Sequence, residues 1–504
     1  MIFLMTDAPN IILIITDQQR YDTVNALGFP YMNTPNMDKL VNEGVAFSNC
    51  FVNASVCAPA RASLFTGYFP HNTGVMRNGH VWPHTWIEDL ANHGYYNVNI
   101  GKMHTSPYEG EFGFHERYVI ENKDRLSTDV FRYYDELDKA FLQRGIEKPG
   151  RETYKKFSDY DEALGAYRWS APDELHPDVF VGDTALWWLQ NSDVPEQPLF
   201  LEIGFPGPHP PYDPIAKYVD EYADRDMNIL PVTENELNGQ PEGLKRLRDG
   251  FVQRQHDAVA FDPYASMERR QRQRAYYMAN VTMIDEKIGQ IMEALESKGY
   301  LENSVVIFTS DHGDCMGDHG LMQKWSMYDV VTRVPAVVWS PGRFEEGRVV
   351  DDLCQWFDLG PTILDLAGIE NQRAMEAESL LPRLRGEPGA VGREFVFTEL
   401  GRDGVMRDAE YVIMARNKEW KIVEYVGEDI GQLFDLRVDP NETNNLWCEP
   451  EFSEKRTELM AVIHNWFIRS VHTGHNWRND LRAPFMEIDH TRGQSGLLPG
   501  DVTY

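Results

Sequence analysis

Cys57-Ala58-Pro59-Ala60-Arg61 runs on into Ala62-Ser63-Leu64-Phe65-Thr66-Gly67, so a thiol, a helix-starting proline and a guanidinium fall close together. Proline suits the first turn of a helix. A helix opening here would aim its free N–H groups at any anion that meets residue 57. Arg61 lies one turn further on, where its guanidinium can brace a nucleophile and a bound oxyanion. The plainer reading of Cys57 is a small buried thiol beside a turn.

Four other segments place chemistry at the ends of apolar runs. The runs Asn10 to Thr16, Val98 to Ile100, Leu199 to Phe205, Val305 to Ser310 and Val334 to Trp339 have the continuous hydrophobicity of parallel strands buried on both faces. The first leads into Asp17-Gln18, the second into Lys102-Met103-His104, the third into Pro208-His209-Pro210-Pro211-Tyr212 and the fourth into Asp311-His312-Gly313-Asp314. Taken singly, these residues have ordinary explanations: a helix cap for Asp17, loop histidines at His104 and His209, a turn residue at Asp311. Taken together, they bring carboxylates, imidazoles and an amine to the strand ends where open α/β sheets bind ligands.

These segments, in this order, resemble the type I, formylglycine-dependent sulfatases and the related phosphonate monoester hydrolases of the alkaline phosphatase superfamily. The shared string comprises the strand ending in Asp17-Gln18, C-x-P-x-R at Cys57 to Arg61, G-K-x-H at Gly101 to His104, P-H-x-P-Y at Pro208 to Tyr212 and D-H-G-D at Asp311 to Asp314. Thr34-Pro35-Asn36-Met37-Asp38-Lys39-Leu40, Gln432 to Leu436 and Asp439 to Thr443 also look like family segments. A cysteine-phosphatase loop does not fit, because it needs a longer gap between Cys and Arg than the three residues found here.

The resemblance implies that a formylglycine-generating enzyme oxidises Cys57 to an aldehyde, whose hydrate is the nucleophile. That enzyme must bind an unfolded segment, which explains why Pro59 and Arg61 lie so near Cys57. It further implies that Asp17, Gln18, Asp311 and His312 hold one divalent cation, with the oxidised Cys57 as a further ligand. Oxygen-rich ligation with one imidazole suits Ca²⁺, Mg²⁺ or Mn²⁺. Many family members have Asp where Gln18 stands and Asn where His312 stands. The departure removes negative charge and adds nitrogen, favouring Mn²⁺ over Ca²⁺. No thiolate cluster suggests structural zinc.

The mechanism so implied is a double displacement through a covalent sulfo-enzyme. One hydroxyl of the hydrate, braced by Arg61 and the cation, attacks sulfur in line and expels the alcohol. His209, as general acid, and Lys324 in Gln323-Lys324-Trp325 are expected at the leaving oxygen. Lys102 and Asn78 are expected on the nonbridging oxygens. His104 would then deprotonate the second hydroxyl, so that the sulfated hemiacetal collapses to aldehyde and sulfate. Two other readings stand beside a sulfate ester hydrolase. One is hydrolysis of phosphonate monoesters or phosphodiesters at the same site, against which Lys102-Met103-His104 resembles the sulfatase version of that segment. The other is a catalytically silent binding protein, which would be expected to have lost a ligand or the cysteine.

Such a site needs a scaffold. Tyr277, Val281, Ile284, Ile288, Ile291 and Leu295 form a helical stripe that ends at Gly299. Strands alternating with helices predict right-handed crossovers and an α/β fold, a large doubly wound mixed sheet sandwiched by helices. The 504 residues exceed what one core supports. A catalytic domain is expected over 1–385, with lid insertions at 105–175 and 213–270, followed by a smaller α+β unit over 386–504. In that unit Tyr411 to Ala415 and Trp420 to Val426, around Asn417-Lys418, predict an antiparallel hairpin. The tail from His472 to Tyr504 is poor in helix signals; it could reach a neighbouring subunit in a homo-oligomer, or be a disordered end.

The net charge of −31, from 79 acidic against 48 basic residues, argues against nucleic-acid and anionic-membrane partners. An anionic ester must therefore be held by local cations. Five scattered cysteines do not make a disulfide framework and fit a reducing compartment. The N-terminal apolar run, Ile11 to Ile15, stops at Asp17 and reads as a strand, and no stretch has membrane-spanning length. A cytoplasmic enzyme is expected.

Overall fold

A computed structural model of the chain describes residues 8–121, 123–124, 133–192, 196–223, 225–227, 229–370, 374–407 and 409–486, from 475 on as backbone alone. Its large sheet is built from β1 (Asn10–Asp17), β2 (Val45–Phe51), β3 (Tyr96–Gly101), β4 (Glu116–Val119), β5 (Leu199–Pro208), β6 (Ser304–Ser310), β7 (Arg333–Val334), β8 (Ala336–Trp339) and β9 (Arg348–Gln355). The spatial order is β4-β3-β5-β1-β6-β8-β2-β7, with β9 beside β2. β4, β3, β5, β1 and β6 are mutually parallel neighbours, so the chain segments leaving β3, β5, β1 and β6 emerge side by side.

The sheet is buried on both faces because successive side chains alternate. Ile12 and Ile14 of β1 enter one core with Val181 and Ile284, from helices α3 (Pro177–Asn191) and α4 (Met267–Ser297). Ile11, Leu13 and Ile15 enter the other with Ala60, Leu64 and Ile363, from α2 (Cys57–Thr66) and α5 (Leu359–Leu366). Helix α1 (Pro35–Glu43) starts at Pro35, and the Asp285 carboxylate of α4 accepts from the Met37 N–H at 2.7 Å.

One strand departs from expectation. The run Val334 to Trp339 is split at Pro335, which cannot donate to a ladder, and β8 lies antiparallel to β6 with Thr309 opposite Ala336. Unbroken hydrophobicity reports burial on both faces and says nothing of strand direction.

The second sheet, β10 (Val396–Gly401), β11 (Tyr411–Arg416), β12 (Trp420–Tyr425) and β13 (Gln432–Asp435), is antiparallel throughout. Its hairpin pairs Arg416 with Lys421, the turn expected around Asn417-Lys418. Helix α6 (Ser453–Met486) covers it, placing Leu459 and Ile463 against Ile413, Ile422 and Leu433. The stretch 472–486 is therefore helical, contrary to its poor signals, because extending an existing helix costs far less than nucleating one. Gly474 suits the close approach to Asn72: a Cβ there would meet Asn72 Oδ1 at 2.0 Å. The remainder of the tail, and with it the expected subunit contact, lies outside the described residues. Among those described, no helix is long and apolar enough to cross a membrane.

Candidate active site and metal centre

The parallel order of β3, β5, β1 and β6 carries Lys102, His209, Asp17 and Asp311 to one sheet edge, and Cys57 opens α2 at the same place. Lys102 turns away through a close crossing of Gly101 and Gly204. A Cβ on Gly101, at φ +103°, would meet the Gly204 carbonyl at 2.1 Å, so a side chain there would push the strands apart. Helix α2 is buried along its whole length. Asn78 Oδ1 accepts from the Ala58 N–H at 3.2 Å, which leaves the Asn78 amide nitrogen as its donor.

One donor atom from each of Asp17, Cys57, Asp311 and His312 lies within 4.8 Å of the others. His312 places Nδ1 2.9 Å from the Gly313 carbonyl. That contact puts the ring proton on Nδ1 and leaves the Nε2 lone pair towards Cys57 Sγ, 3.2 Å away. Gln18 donates from Nε2 to Asp314 Oδ2 at 2.6 Å, while its buried Oε1 has no hydrogen-bond partner among the described residues. Two carboxylates, an imidazole lone pair and an unpartnered amide oxygen fit a fairly hard divalent cation. Arg61 braces the group, donating from Nε to Asp311 Oδ2 at 2.8 Å and from Nη1 to the Lys102 carbonyl at 2.7 Å.

The buried charges set each group's protonation. Burial alone would raise the Asp17 carboxyl, yet Lys102, 2.8 Å from Oδ2, with His209, Lys324 and Arg61 holds it well below the usual range. Burial, reinforced by Asp17, pushes the Cys57 thiol up to about 12 even though Lys324 Nζ stands 2.8 Å from Sγ. A thiol so held is a poor nucleophile at neutral pH. Burial presses both His104 and His209 well below the usual imidazole range, helped by Lys102 for His104 and by Lys324 for His209. His104 sits at φ +63° with Nδ1 buried and unpartnered among the described residues, and His209 Nδ1 lies 2.8 Å from the Pro210 carbonyl.

Cys57, Asn78, Lys102, His104, His209 and Lys324 line one cavity of about 170 Å³. Every residue singled out for catalysis or substrate binding thus meets there, apart from Arg61, which lies buried behind the metal cluster. Residues that the sequence reading missed complete the walls, among them Glu121, Lys123, Asp124, Arg151, His256 and Asp257. Lys123 fixes the histidine loop, its Nζ reaching the carbonyls of His209 at 3.0 Å and Pro211 at 3.1 Å. These residues carry no motif; the signal that could have found them is the unusual length and polarity of the two segments that contain them. A larger cavity of about 810 Å³ lies near Ser304, at the opposite end of β6, and gathers no comparable set of chemical groups.

Comparison with known proteins agrees with this geometry. The Sulfatase family model matches residues 9–369, and the model described as N-sulphoglucosamine sulphohydrolase, C-terminal, matches residues 317–467. The chain belongs to the sulfatase family, sulfuric ester hydrolases of the alkaline phosphatase superfamily. It is 29% identical to an arylsulfatase of Clostridium perfringens, over 90% of this chain and 93% of the relative. It is also 29% identical to a choline-sulfatase of Rhizobium meliloti, over 90% and 86%. In fold it is similar to the phosphonate monoester hydrolase of Agrobacterium radiobacter, with a TM-score of 0.76, 24% identity and coverage of 92% and 96%.

Proposed function

We propose that the chain hydrolyses sulfate monoesters with residue 57 as formylglycine and one divalent cation held by Asp17, Gln18, Asp311, His312 and residue 57. The observation that carries this reading is the setting of Cys57, a buried thiol 2.8 Å from Lys324 Nζ and 3.2 Å from His312 Nε2. As a thiol it is held protonated, whereas an aldehyde hydrate at the same point would offer a hydroxyl to a site ringed by cations. A formylglycine-generating enzyme is the partner that maturation requires, and the free thiols, buried at Cys50, Cys57, Cys315 and Cys354 and exposed at Cys448, fit a cytoplasmic setting. When bound, the cation supplies Lewis-acid stabilisation of negative charge on oxygen. The nitrogen of His312 and the neutral Gln18 favour Mn²⁺ over Ca²⁺ or Mg²⁺.

In this reading Lys102 and Asn78 hold the nonbridging sulfate oxygens, Lys324 stands with His209 at the leaving oxygen, and Arg61 fixes Asp311 and the Lys102 turn. His209 protonates the departing alcohol. The bound anion offsets Lys324, one of the groups that depress His209, and so returns the imidazole towards its proton-donating range. His104, neutral and with an unpartnered Nδ1, takes up the proton released as the sulfo-enzyme breaks down. The sheet domain, to about residue 385, carries the chemistry, and the segments 105–175 and 213–270 cover it.

The same residues could act on phosphonate monoesters or phosphodiesters, since tetrahedral sulfuryl and phosphoryl groups differ mainly in charge. A multifunctional alkaline phosphatase superfamily relative from Trinickia caryophylli is 28% identical over 91% of this chain. The test is kcat/KM on an aryl sulfate, a phosphodiester and a phosphonate monoester, with Cys57→Ala as control. The aryl sulfate should lead by tenfold or more, Cys57→Ala should be inactive, and active protein should carry the mass deficit of thiol-to-aldehyde conversion. Equal turnover by protein with a fully unmodified thiol would overturn the nucleophile, and a phosphonate lead would overturn the substrate class.

A further inference from the structure

We infer that Arg151, held between Asp124 and Asp257 in the cavity wall, is the subsite for the alcohol half of the ester, and that this alcohol is a small polyol of monosaccharide size. The inference rests on the sulfatase reading. Arg151 donates from Nε to Asp124 and from Nη2 to Asp257, and its Nη1 has no partner among the described residues. A guanidinium pinned by two carboxylates presents donors and acceptors side by side in fixed geometry, the pattern that neighbouring hydroxyls match because each can both donate and accept.

A second, separate observation points to a hydroxyl donor. Glu121 is 3% exposed and lines the same cavity. One of its oxygens accepts from the Met103 and His104 N–H groups at 3.3 and 2.9 Å, while Oε2 is buried without a partner among the described residues. Burial raises the Glu121 carboxyl, and a substrate hydroxyl, which can both donate and accept, partners that oxygen in either protonation state.

Charge then selects among alcohols. Four cations, Lys102, Lys123, Arg151 and Lys324, and three carboxylates, Glu121, Asp124 and Asp257, line the cavity. Lys102 and Lys123 also face carboxylates outside that lining, Asp17 at 2.8 Å and Asp213 at 3.0 Å, so Lys324 is the lining cation without a carboxylate partner among the described residues and the one left to meet the sulfate. An anionic alcohol would find Arg151 already engaged by two carboxylates.

Size sets the scale. At about 170 Å³ the cavity falls below the roughly 300–1,000 Å³ of pockets for drug-sized ligands. That leaves room for the transferred group and one small ring. The wall is also built at a cost to the backbone: Gln255, Asp257 and Ala258 sit at φ +48°, +54° and +59°, a strain that surrounding structure must hold.

The experiment compares mature wild type with Asp257→Asn and Arg151→Met on 4-nitrophenyl sulfate, choline sulfate and a set of hexose monosulfates. Asparagine tolerates left-handed backbone, so Asp257→Asn should fold. The best hexose monosulfate should exceed choline sulfate at least tenfold in kcat/KM, and both substitutions should lower the hexose-to-nitrophenyl ratio at least tenfold. A choline sulfate preference, or an unchanged ratio, overturns the subsite. In the Cys57→Ala background, hexose monosulfates should raise the Tm, and Asp257→Asn should cancel the shift; persistence of the shift also overturns the subsite. No turnover of any sulfate by wild type would instead count against the sulfatase reading, leaving the thermal shift to judge the subsite.

Discussion

Lys324 Nζ lies 2.8 Å from Cys57 Sγ and 3.5 Å from His312 Nε2, so one fixed cation meets both the residue that opens α2 and the imidazole that follows β6. The flanking residues Gln323 and Trp325 both adopt positive φ, +57° and +69°, which turns Lys324 inwards. Burial works against its charge and the Asp17 carboxylate works for it, the ammonium standing above its ordinary range. It remains charged throughout the pH range of any assay. Lys324→Met should therefore lower kcat on an aryl sulfate about 100- to 1,000-fold, the loss expected when one preorganised donor is removed, with residue 57 still converted. A change in kcat of less than fivefold, with conversion intact, would remove Lys324 from the reaction.

Much of this site was legible because buried parallel strands need unbroken apolar runs, and the residue that breaks each run is where chemistry can begin. Asp17, Lys102 and Asp311 were found in that way. The adjacency of β3, β5, β1 and β6 was not, since pairing between strands separated by up to some three hundred positions leaves no local trace. Nor was the meeting of Arg151 with Asp124 and Asp257, three residues far apart in sequence, of which Arg151 opens a single helical turn, Arg151–Tyr154. Helix α6 beyond residue 472 escaped notice for the opposite reason: its signal lies upstream, in the part of the helix packed on the second sheet.

Asp311 accepts from the Gln18 N–H at 3.0 Å through Oδ1 and from Arg61 through Oδ2, besides offering an oxygen to the metal cluster. Asp311→Ala should cost activity by orders of magnitude, with metal content falling in step. Asp311→Asn keeps the shape but removes the charge, so it should retain the fold and lose metal affinity about 10- to 100-fold or more. Elemental analysis alongside kcat/KM checks both, and full metal content with a normal rate in Asp311→Ala would refute the ligand assignment.

Glu202 of β5 is fully buried, accepts from Asn99 Nδ2 and has an unpartnered Oε1. Burial pushes its carboxyl up to about 8, against the opposing pull of Arg61 and Asn99. Between the unfolded value near 4.5 and this folded value, the native chain holds a proton that the unfolded chain releases. The stabilising contribution is thus complete below the unfolded value and is lost as pH rises through the window, by at most about 1.4 kcal/mol per pH unit. Glu202→Gln should gain Tm relative to wild type as pH rises from 5 to 8. Parallel Tm curves for the two proteins would show that Glu202 does not titrate in this range.

His104 and His209 line the same cavity, yet the double displacement gives them separate steps. If His209 protonates the departing alcohol, His209→Ala should hurt esters with poor leaving groups far more than nitrophenyl esters, whose oxygen hardly needs a proton. The loss on the poor leaving groups should reach about 100-fold or more. His104 acts only after the alcohol has left. His104→Ala should therefore release the first alcohol in a burst and then stall, with covalent sulfate on residue 57 visible by mass spectrometry. The burst should equal the fraction of chains converted at residue 57, which ties its size to maturation and separates a stalled intermediate from a slow first step. Equal leaving-group sensitivity in the two variants, with no adduct in either, would mean that the two roles are misassigned or that the sulfo-enzyme breaks down by direct attack of water.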